Sequence, residues 1–113
     1  MNTKELNNAI GQRLREARQA QGLSLAQLAE RTGNELSKSR ISNYEQGIRR
    51  MGIEQARTLT QALGTVSPVY LLCLDDSAPE LSPEEQRLIG NFRAADPTGR
   101  LRVLEAAEEA KQG

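Results

Sequence analysis

Four polar side chains in one short segment, Lys38, Ser39, Arg40 and Asn43, have the chemistry needed to recognise nucleic-acid bases. Lysine and arginine donate to the acceptors of guanine, asparagine pairs with adenine through two hydrogen bonds, and serine can serve either base. The alternative is an ordinary solvated surface, on which Lys38 and Arg40 are charged residues without a binding role and Asn43 is a polar surface residue. The residue types therefore indicate recognition by hydrogen bonding.

The composition argues against catalysis and metal binding. The 113 residues include no histidine, no tryptophan, one cysteine and one phenylalanine. A zinc site needs about four Cys, His or carboxylate ligands, and Ser-His or Cys-His catalysis needs a histidine. No glycine-rich loop suited to holding a phosphate is present either. We therefore expect no enzyme activity, no metal site and no cofactor, and the sequence indicates no small-molecule ligand.

Charge is distributed unevenly along the chain, although the formal net charge is zero. Residues 1–73 carry ten Lys or Arg and six Asp or Glu, net +4, whereas residues 74–113 carry five and nine, net −4. This asymmetry favours a basic working domain joined to an acidic tail, although two ordinary solvated surfaces would give the same count. The polar segment 75–79, which proline interrupts, is the expected hinge, so we divide the chain into residues 1–76 and 77–113.

Nearly every stretch of the chain has helical rather than alternating periodicity. The expected helices are residues 4–21, a short second helix, a third containing Ile41 and Tyr44, a fourth over residues 53–63, and a fifth from residue 67. Two more follow in the tail. Capping signals open three of them, at Ser24, Ser67 and Ser82, and glycines are expected to end the first four, at Gly22, Gly33, Gly47 and Gly64. In the fourth helix, Ile53, Ala56, Leu59 and Leu63 are expected to face inward.

The second and third helices are short, and the third is polar and basic, which is typical of a helix-turn-helix. A major groove about 12 Å wide admits one helix, and the early side chains of that helix reach the base edges. Half of the helix surface then faces DNA instead of the core. Ile41 and Tyr44 would point the other way and anchor the helix to its domain.

Residues 9–74 resemble the lambda-repressor-like, Xre-type helix-turn-helix family (HTH_3) of phage and bacterial regulators. The matching pieces are Leu14-Arg15-Glu16-Ala17-Arg18, Gly22-Leu23-Ser24 with Leu28-Ala29-Glu30, Arg40-Ile41-Ser42-Asn43-Tyr44-Glu45-Gln46-Gly47, and Leu63-Gly64-Thr65-Val66-Ser67-Pro68-Val69-Tyr70-Leu71-Leu72. The resemblance implies an all-α fold: a five-helix DNA-binding domain, followed here by a two-helix C-terminal extension.

The resemblance also assigns roles to individual residues. The base-contacting positions of the family correspond to Lys38, Ser39, Arg40 and Asn43. Phosphate-contacting positions correspond to Ser24, Gln27, Ser42, Gln46, Arg49 and Arg50, although the two arginines could be an ordinary solvated pair. Glu45 matches an acid that pairs with the family's helix-1 arginine, here Arg18, so this pair is expected to be structural.

The sequence departs from the family pattern at two places. The connection between Gly33 and Ile41 is two residues longer than the usual short turn, which puts the base contacts in question. Leu25 stands where the family commonly has glutamine, so Ser24 or Gln27 would have to supply that phosphate contact. Arg13 and Arg15 could be surface charges or DNA contacts, and Cys73, which lies in an apolar run, is expected to be a small core residue.

The tail offers a means of dimerisation. Its two amphipathic helices are too small to fold alone, so their apolar residues must bury against the first domain or a second copy; these residues are Leu88, Ile89, Phe92, Leu101 and Leu104. One recognition helix reads too few base pairs to single out one genomic site. We therefore expect a homodimer on a palindromic double-stranded operator, with half-sites about 34 Å apart, that represses transcription by occupying a promoter.

Two other functions fit the same sequence. An antitoxin of this fold would repress its own operon and neutralise a toxin through the acidic tail. The other is a protein-interaction module that has kept the fold and lost DNA binding. The neutral net charge and Leu25 slightly favour this alternative. The single cysteine, with no secretory signal and no apolar run long enough to span a membrane, indicates a cytoplasmic protein.

Overall fold

The computed structural model describes residues 2–76 and 81–112. The helices in these ranges are α1 (Thr3–Ala20), α2 (Leu25–Arg31), α3 (Lys38–Glu45), α4 (Ile53–Leu63), α5 (Pro68–Leu71), α6 (Pro83–Ala94) and α7 (Pro97–Gln112). No strand occurs in the described part of the chain, and the all-helical prediction is confirmed. Residues 77–79 of the expected hinge lie outside the described residues.

The helices begin and end where local signals direct them. At the start of α2 the Ser24 hydroxyl accepts a hydrogen bond from the backbone N–H of Gln27, while the Gln27 side chain accepts one from the backbone N–H of Ser24. This reciprocal pair satisfies two donors that a helix start leaves free. Gly64 ends α4 with a φ of 75°, a left-handed conformation that glycine adopts without a Cβ clash.

Helices α1–α5 enclose one hydrophobic core. Its fully buried large side chains are Leu14, Leu28, Ile41, Leu59, Leu63 and Leu71. Burial of each such side chain contributes about 1.5–3 kcal/mol. Each of the five helices supplies at least one of these residues, so the core holds α3 in a fixed position against its neighbours.

Three hydrophobic residues lie where the sequence pattern did not place them. The prediction that Ile53 faces inward is wrong, because its side chain is 65% exposed. Ile53 is the first residue of α4, and helical side chains lean toward the N-terminus, so this one extends beyond the packed part of the helix. Conversely, Leu36 and Met51 are each 4% exposed, although both belong to connections between helices, where no periodicity marks a core residue.

The two tail helices differ in how they pack. Helix α6 packs on α1 and α4, where Gly90 is buried so closely that a Cβ would overlap the side chains of Gln21 and Arg31. Helix α7 packs on α6, and its Leu101 and Leu104 remain 55% and 54% exposed. The first tail helix is therefore seated on the domain formed by α1–α5, while the second keeps an apolar face open.

Candidate nucleic-acid interface

Helix α3 presents its polar face outward because its apolar residues share the opposite face. Ile41, Tyr44 and Glu45 are buried, at 0%, 2% and 6% exposure. With 3.6 residues per turn, Ser39 and Asn43 are one turn apart on the side away from these three. The face that remains for a partner consequently carries hydroxyl and amide groups.

The start of α3 is fixed by Ser37. The Ser37 hydroxyl accepts a hydrogen bond from the backbone N–H of Arg40 at 3.1 Å, so the helix begins at Lys38. Lys38, Ser39 and Arg40 thus occupy the first turn of α3. In helices that enter the major groove, this is the end that reaches base edges. Lys38 and Ser39 are exposed, and Arg40 is half-buried.

The longer connection between α2 and α3 is compact. Gly33 and Asn34 both adopt left-handed conformations, with φ of 69° and 62°, and reverse the chain directly after α2. The Thr32 hydroxyl donates to Ala29 O at 2.6 Å and accepts from the backbone N–H of Leu36 at 3.3 Å. Since Leu36 then enters the core, the extra residues are absorbed in the turn and α3 stays packed against the domain.

A buried carboxylate ties α3 to α1. Arg18 donates from Nε to Glu45 Oε2 at 2.6 Å and from Nη2 to Oε1 at 2.9 Å, and its Nη1 donates to Leu23 O at 2.8 Å. Arg15 adds a contact of 3.4 Å to the same carboxylate. The hydrogen bonds from Arg18 to Glu45 raise the pKa of Arg18 above its ordinary value. Arg18 and Glu45 therefore form a structural ion pair, and Arg15 belongs to it.

Close approach of α1 and α3 depends on Gly11, which the sequence pattern did not single out. A Cβ at this position would overlap the backbone carbonyl oxygens of Tyr44 and Glu45. Backbone atoms cannot rotate away as a side chain can. The signal in the sequence, a glycine inside a helix that otherwise has good helix formers, indicates such a packing requirement.

The guanidinium of Arg13 is hydrogen-bonded to other residues of the protein. Its Nη1 donates to Tyr70 O at 2.7 Å and to Asp75 O at 2.8 Å, and its Nη2 donates to Asp76 Oδ1 at 2.8 Å. Its guanidinium also lies 4.4 Å from the centre of the Tyr70 ring. The hydrogen bond to Asp76 raises the pKa of Arg13. These contacts attach α1 to the segment that follows α5, which is a structural role.

The side chains expected at phosphates lie at the ends of helices. Ser24 and Gln27 are exposed and form the cap of α2. At the end of α3, the backbone N–H of Gln46 donates to Ser42 O at 3.0 Å, and its side-chain amide donates to the Ser42 hydroxyl at 2.7 Å. Because the backbone N–H of Gln46 is engaged, a phosphate contact here would use the side chains. The next segment carries Arg49 and Arg50, both exposed.

The described residues contain no group of three or more Cys, Asp or Glu side chains that could hold a metal ion. None of the described helices is long and apolar enough to cross a membrane. Cys73 is half-buried at the edge of the core with a φ of 62°, and burial raises the pKa of its thiol.

Comparison with known proteins agrees with this geometry. A family model described as Helix-turn-helix (HTH_3) matches residues 14–71, which span α2 to α5 and the part of α1 from Leu14 onward. No curated protein and no solved structure matches the chain. The match covers just over half of the sequence and includes the whole of α3. The chain belongs to the lambda-repressor-like, Xre-type helix-turn-helix family (HTH_3) of DNA-binding transcription regulators.

Proposed function

We propose that the protein is a sequence-specific repressor that binds a palindromic operator as a homodimer. The observation that carries the proposal is the outward polar face of α3, held in place by the buried pair of Glu45 with Arg18. Recognition of an ordered base sequence requires donors and acceptors at fixed positions. The Glu45 pair, the core contacts of Ile41 and Tyr44, and the Ser37 cap supply that fixity.

Base contacts are assigned to the first turn and exposed face of α3. Lys38 and Arg40 suit the acceptors of guanine, Asn43 suits adenine, and Ser39 suits either base. Arg40 and Asn43 are half-buried, so part of each side chain already packs on the protein and less conformational freedom is lost on binding.

Phosphate contacts would hold α3 in register on the duplex. The proposed set consists of surface groups at the start of α2 and the end of α3: Ser24, Gln27, Ser42, Gln46, Arg49 and Arg50. These contacts carry no sequence information, but they supply affinity that falls as salt rises. The arginines are the strongest candidates because they are exposed and charged.

Dimerisation is assigned to residues 77–113, and α7 offers the surface for it. Leu101 and Leu104 are half exposed and lie one turn apart. Arg102 lies in the first half of this helix, and Glu105 and Glu109 follow at helical spacing on the same flank. A two-fold symmetric interface uses the same surface of both copies, which here would pair two α7 helices antiparallel. In that arrangement the basic half of each helix faces the acidic half of the other. The two recognition helices would then read half-sites about 34 Å apart.

The test is selection of DNA from a random library by the purified protein at about 50 and 200 mM salt. We expect a palindromic motif and an affinity that falls steeply between the two salt concentrations. Sedimentation at micromolar concentration should give a dimer, and a reporter gene behind the selected motif should be transcribed less when the protein is present. Failure to enrich any sequence at low salt would contradict the base contacts assigned to α3, and a monomer both free and on DNA would contradict the role of α7.

A further inference from the structure

An open groove of about 790 Å³ lies where the tail meets the DNA-binding domain. Arg31 of α2, Arg93 of α6 and Arg100 of α7 line it, together with the apolar side chains of Leu23 and Phe92. This volume falls in the range of small-molecule sites, roughly 300–1,000 Å³, and such sites combine apolar walls with a few convergent polar groups. The groove exists only because α6 is seated on the domain, since two of the three arginines come from the tail.

Arg31 is a half-buried cation whose hydrogen bonds go to neutral acceptors. Its Nη1 donates to Gln21 Oε1 at 2.8 Å and its Nη2 lies 3.4 Å from Asn91 Oδ1. Burial lowers the pKa of Arg31, because removal of water disfavours the charged form. A partly desolvated guanidinium without a carboxylate partner is costly unless an anion joins it.

The other two arginines also bond only to neutral groups. Arg93 donates to Gln61 O at 3.2 Å, and Arg100 donates to Phe92 O at 3.2 Å and to Arg93 O at 2.9 Å. These carbonyls belong to the last turns of α4 and α6, and a helix end offsets only about half a charge. Each guanidinium has five N–H donors, so both arginines keep donors for a ligand.

No acidic side chain of the described residues forms an ion pair within 4 Å with Arg31, Arg93 or Arg100. The ion pairs found in residues 2–76 and 81–112 involve Arg13, Arg15 and Arg18. Glu30 also lines the groove but takes part in none of them. The groove thus keeps a positive charge from three helices beside an apolar wall.

We propose that this groove binds a small organic anion that carries a phosphate or more than one carboxylate, with its apolar part against Leu23 and Phe92. A ligand held at once by α2 and by the two tail helices would tie the extension to the DNA-binding domain. Gln27 lines the same groove, and on the proposed function it lies beside a DNA phosphate. Because two anions at this place repel each other, the ligand would weaken DNA binding.

The first test needs no DNA. The full-length chain is titrated calorimetrically with phenyl phosphate, citrate and adenosine monophosphate, with sodium chloride added to equal ionic strength as the reference. We expect at least one of the three to bind with a Kd below about 1 mM, and to raise the Tm because it binds the folded state. R31Q and R100Q should each weaken that binding about tenfold or more, since each removes a charged hydrogen bond to the anion.

R87Q is the matched control, because it removes an exposed arginine of α6 that is not among the groove residues. It should leave probe binding unchanged. Circular dichroism confirms folding of each variant. If R31Q disturbs the packing of α6 on the domain, R100Q still tests the groove, because Arg100 belongs to α7. The proposal is overturned if none of the three probes binds above the salt reference, or if R87Q weakens binding as much as R31Q does.

A second measurement separates a small ligand from the DNA backbone. If the three arginines contact DNA phosphates instead, R31Q and R100Q will lower DNA affinity and its salt dependence while no probe binds, and this outcome also overturns the proposal. Conversely, the DNA selection described above can fail while probe binding in the groove persists. The two proposals therefore succeed or fail separately.

Discussion

Substitution of Glu45 by glutamine tests whether one buried carboxylate positions the recognition helix. The Glu45 side chain is 3% exposed and accepts two hydrogen bonds from Arg18, at 2.6 and 2.9 Å, with a third contact from Arg15 at 3.4 Å. Glutamine has nearly the same shape but no charge, and one of its two side-chain acceptors becomes a donor. E45Q therefore leaves the Arg18 guanidinium in place with a weaker partner.

The expected loss of stability is about 2–3 kcal/mol. Removal of one member of a buried ion pair costs about 3–5 kcal/mol. The value here is lower because the glutamine oxygen can still accept from Arg18, and Arg18 keeps its bond to Leu23 O. For a chain of this size about 1 kcal/mol corresponds to roughly 4 °C in Tm, so we expect a decrease of about 8–12 °C.

Thermal and urea unfolding followed by circular dichroism measures the change. E16Q is the control, because Glu16 is exposed on α1 and makes one hydrogen bond, from Gln12 at 3.1 Å. It should stay within about 0.5 kcal/mol of the parent protein. At a temperature where E45Q is folded, its DNA affinity should still be reduced, since the tie between α1 and α3 is looser. An E45Q protein as stable as E16Q would refute the reasoning.

Four further outcomes are expected. G11A should lower the free energy of unfolding by about 3 kcal/mol in urea titrations, because a methyl group overlaps backbone at the end of α3; a decrease below about 1 kcal/mol would contradict the close packing. N43A should cost about 1–3 kcal/mol of DNA affinity and relax preference at one base pair of each half-site, and an unchanged selected motif would argue against base contact. The double variant R49Q/R50Q should weaken binding to all DNA sequences alike. The slope of log affinity against log salt concentration should fall by about one for each lost phosphate contact, and a sequence-dependent effect would argue against this role. Alkylation of Cys73 by iodoacetamide at pH 7.5 should be slower than that of free cysteine, because the raised pKa reduces the thiolate fraction, and an equal rate would contradict its burial.

Signals that act over a few residues could be read correctly from the sequence. The Ser24 and Ser82 caps both form the reciprocal hydrogen bonds expected of them, and Gly64 ends α4 in the left-handed conformation. The inward Ile41 and Tyr44 of α3 follow from helical spacing, which fixes the opposite face as polar. Such features depend on hydrogen bonds and side-chain directions within one or two turns.

Residues outside regular periodicity could not be predicted in this way. Leu36 and Met51 each stand alone in a polar connection, and only the packing of neighbouring helices makes them part of the core. Ile53 fits the helical spacing of α4 but lies at its first position, beyond the packed surface. Spacing describes a helix face and does not say how far the neighbouring helices extend along it.

By itself, then, the sequence determined the order and ends of the helices, the helix-turn-helix family and the polar face of α3, because these depend on local hydrogen bonding and spacing. Only the tertiary structure decided that Gly11 lets α1 meet the carbonyls of α3. It also brought Arg31 beside Asn91, 60 positions away in the chain, and so assembled the cationic groove between domain and tail. A contact between distant residues depends on how whole helices pack, and no pattern within either helix specifies it.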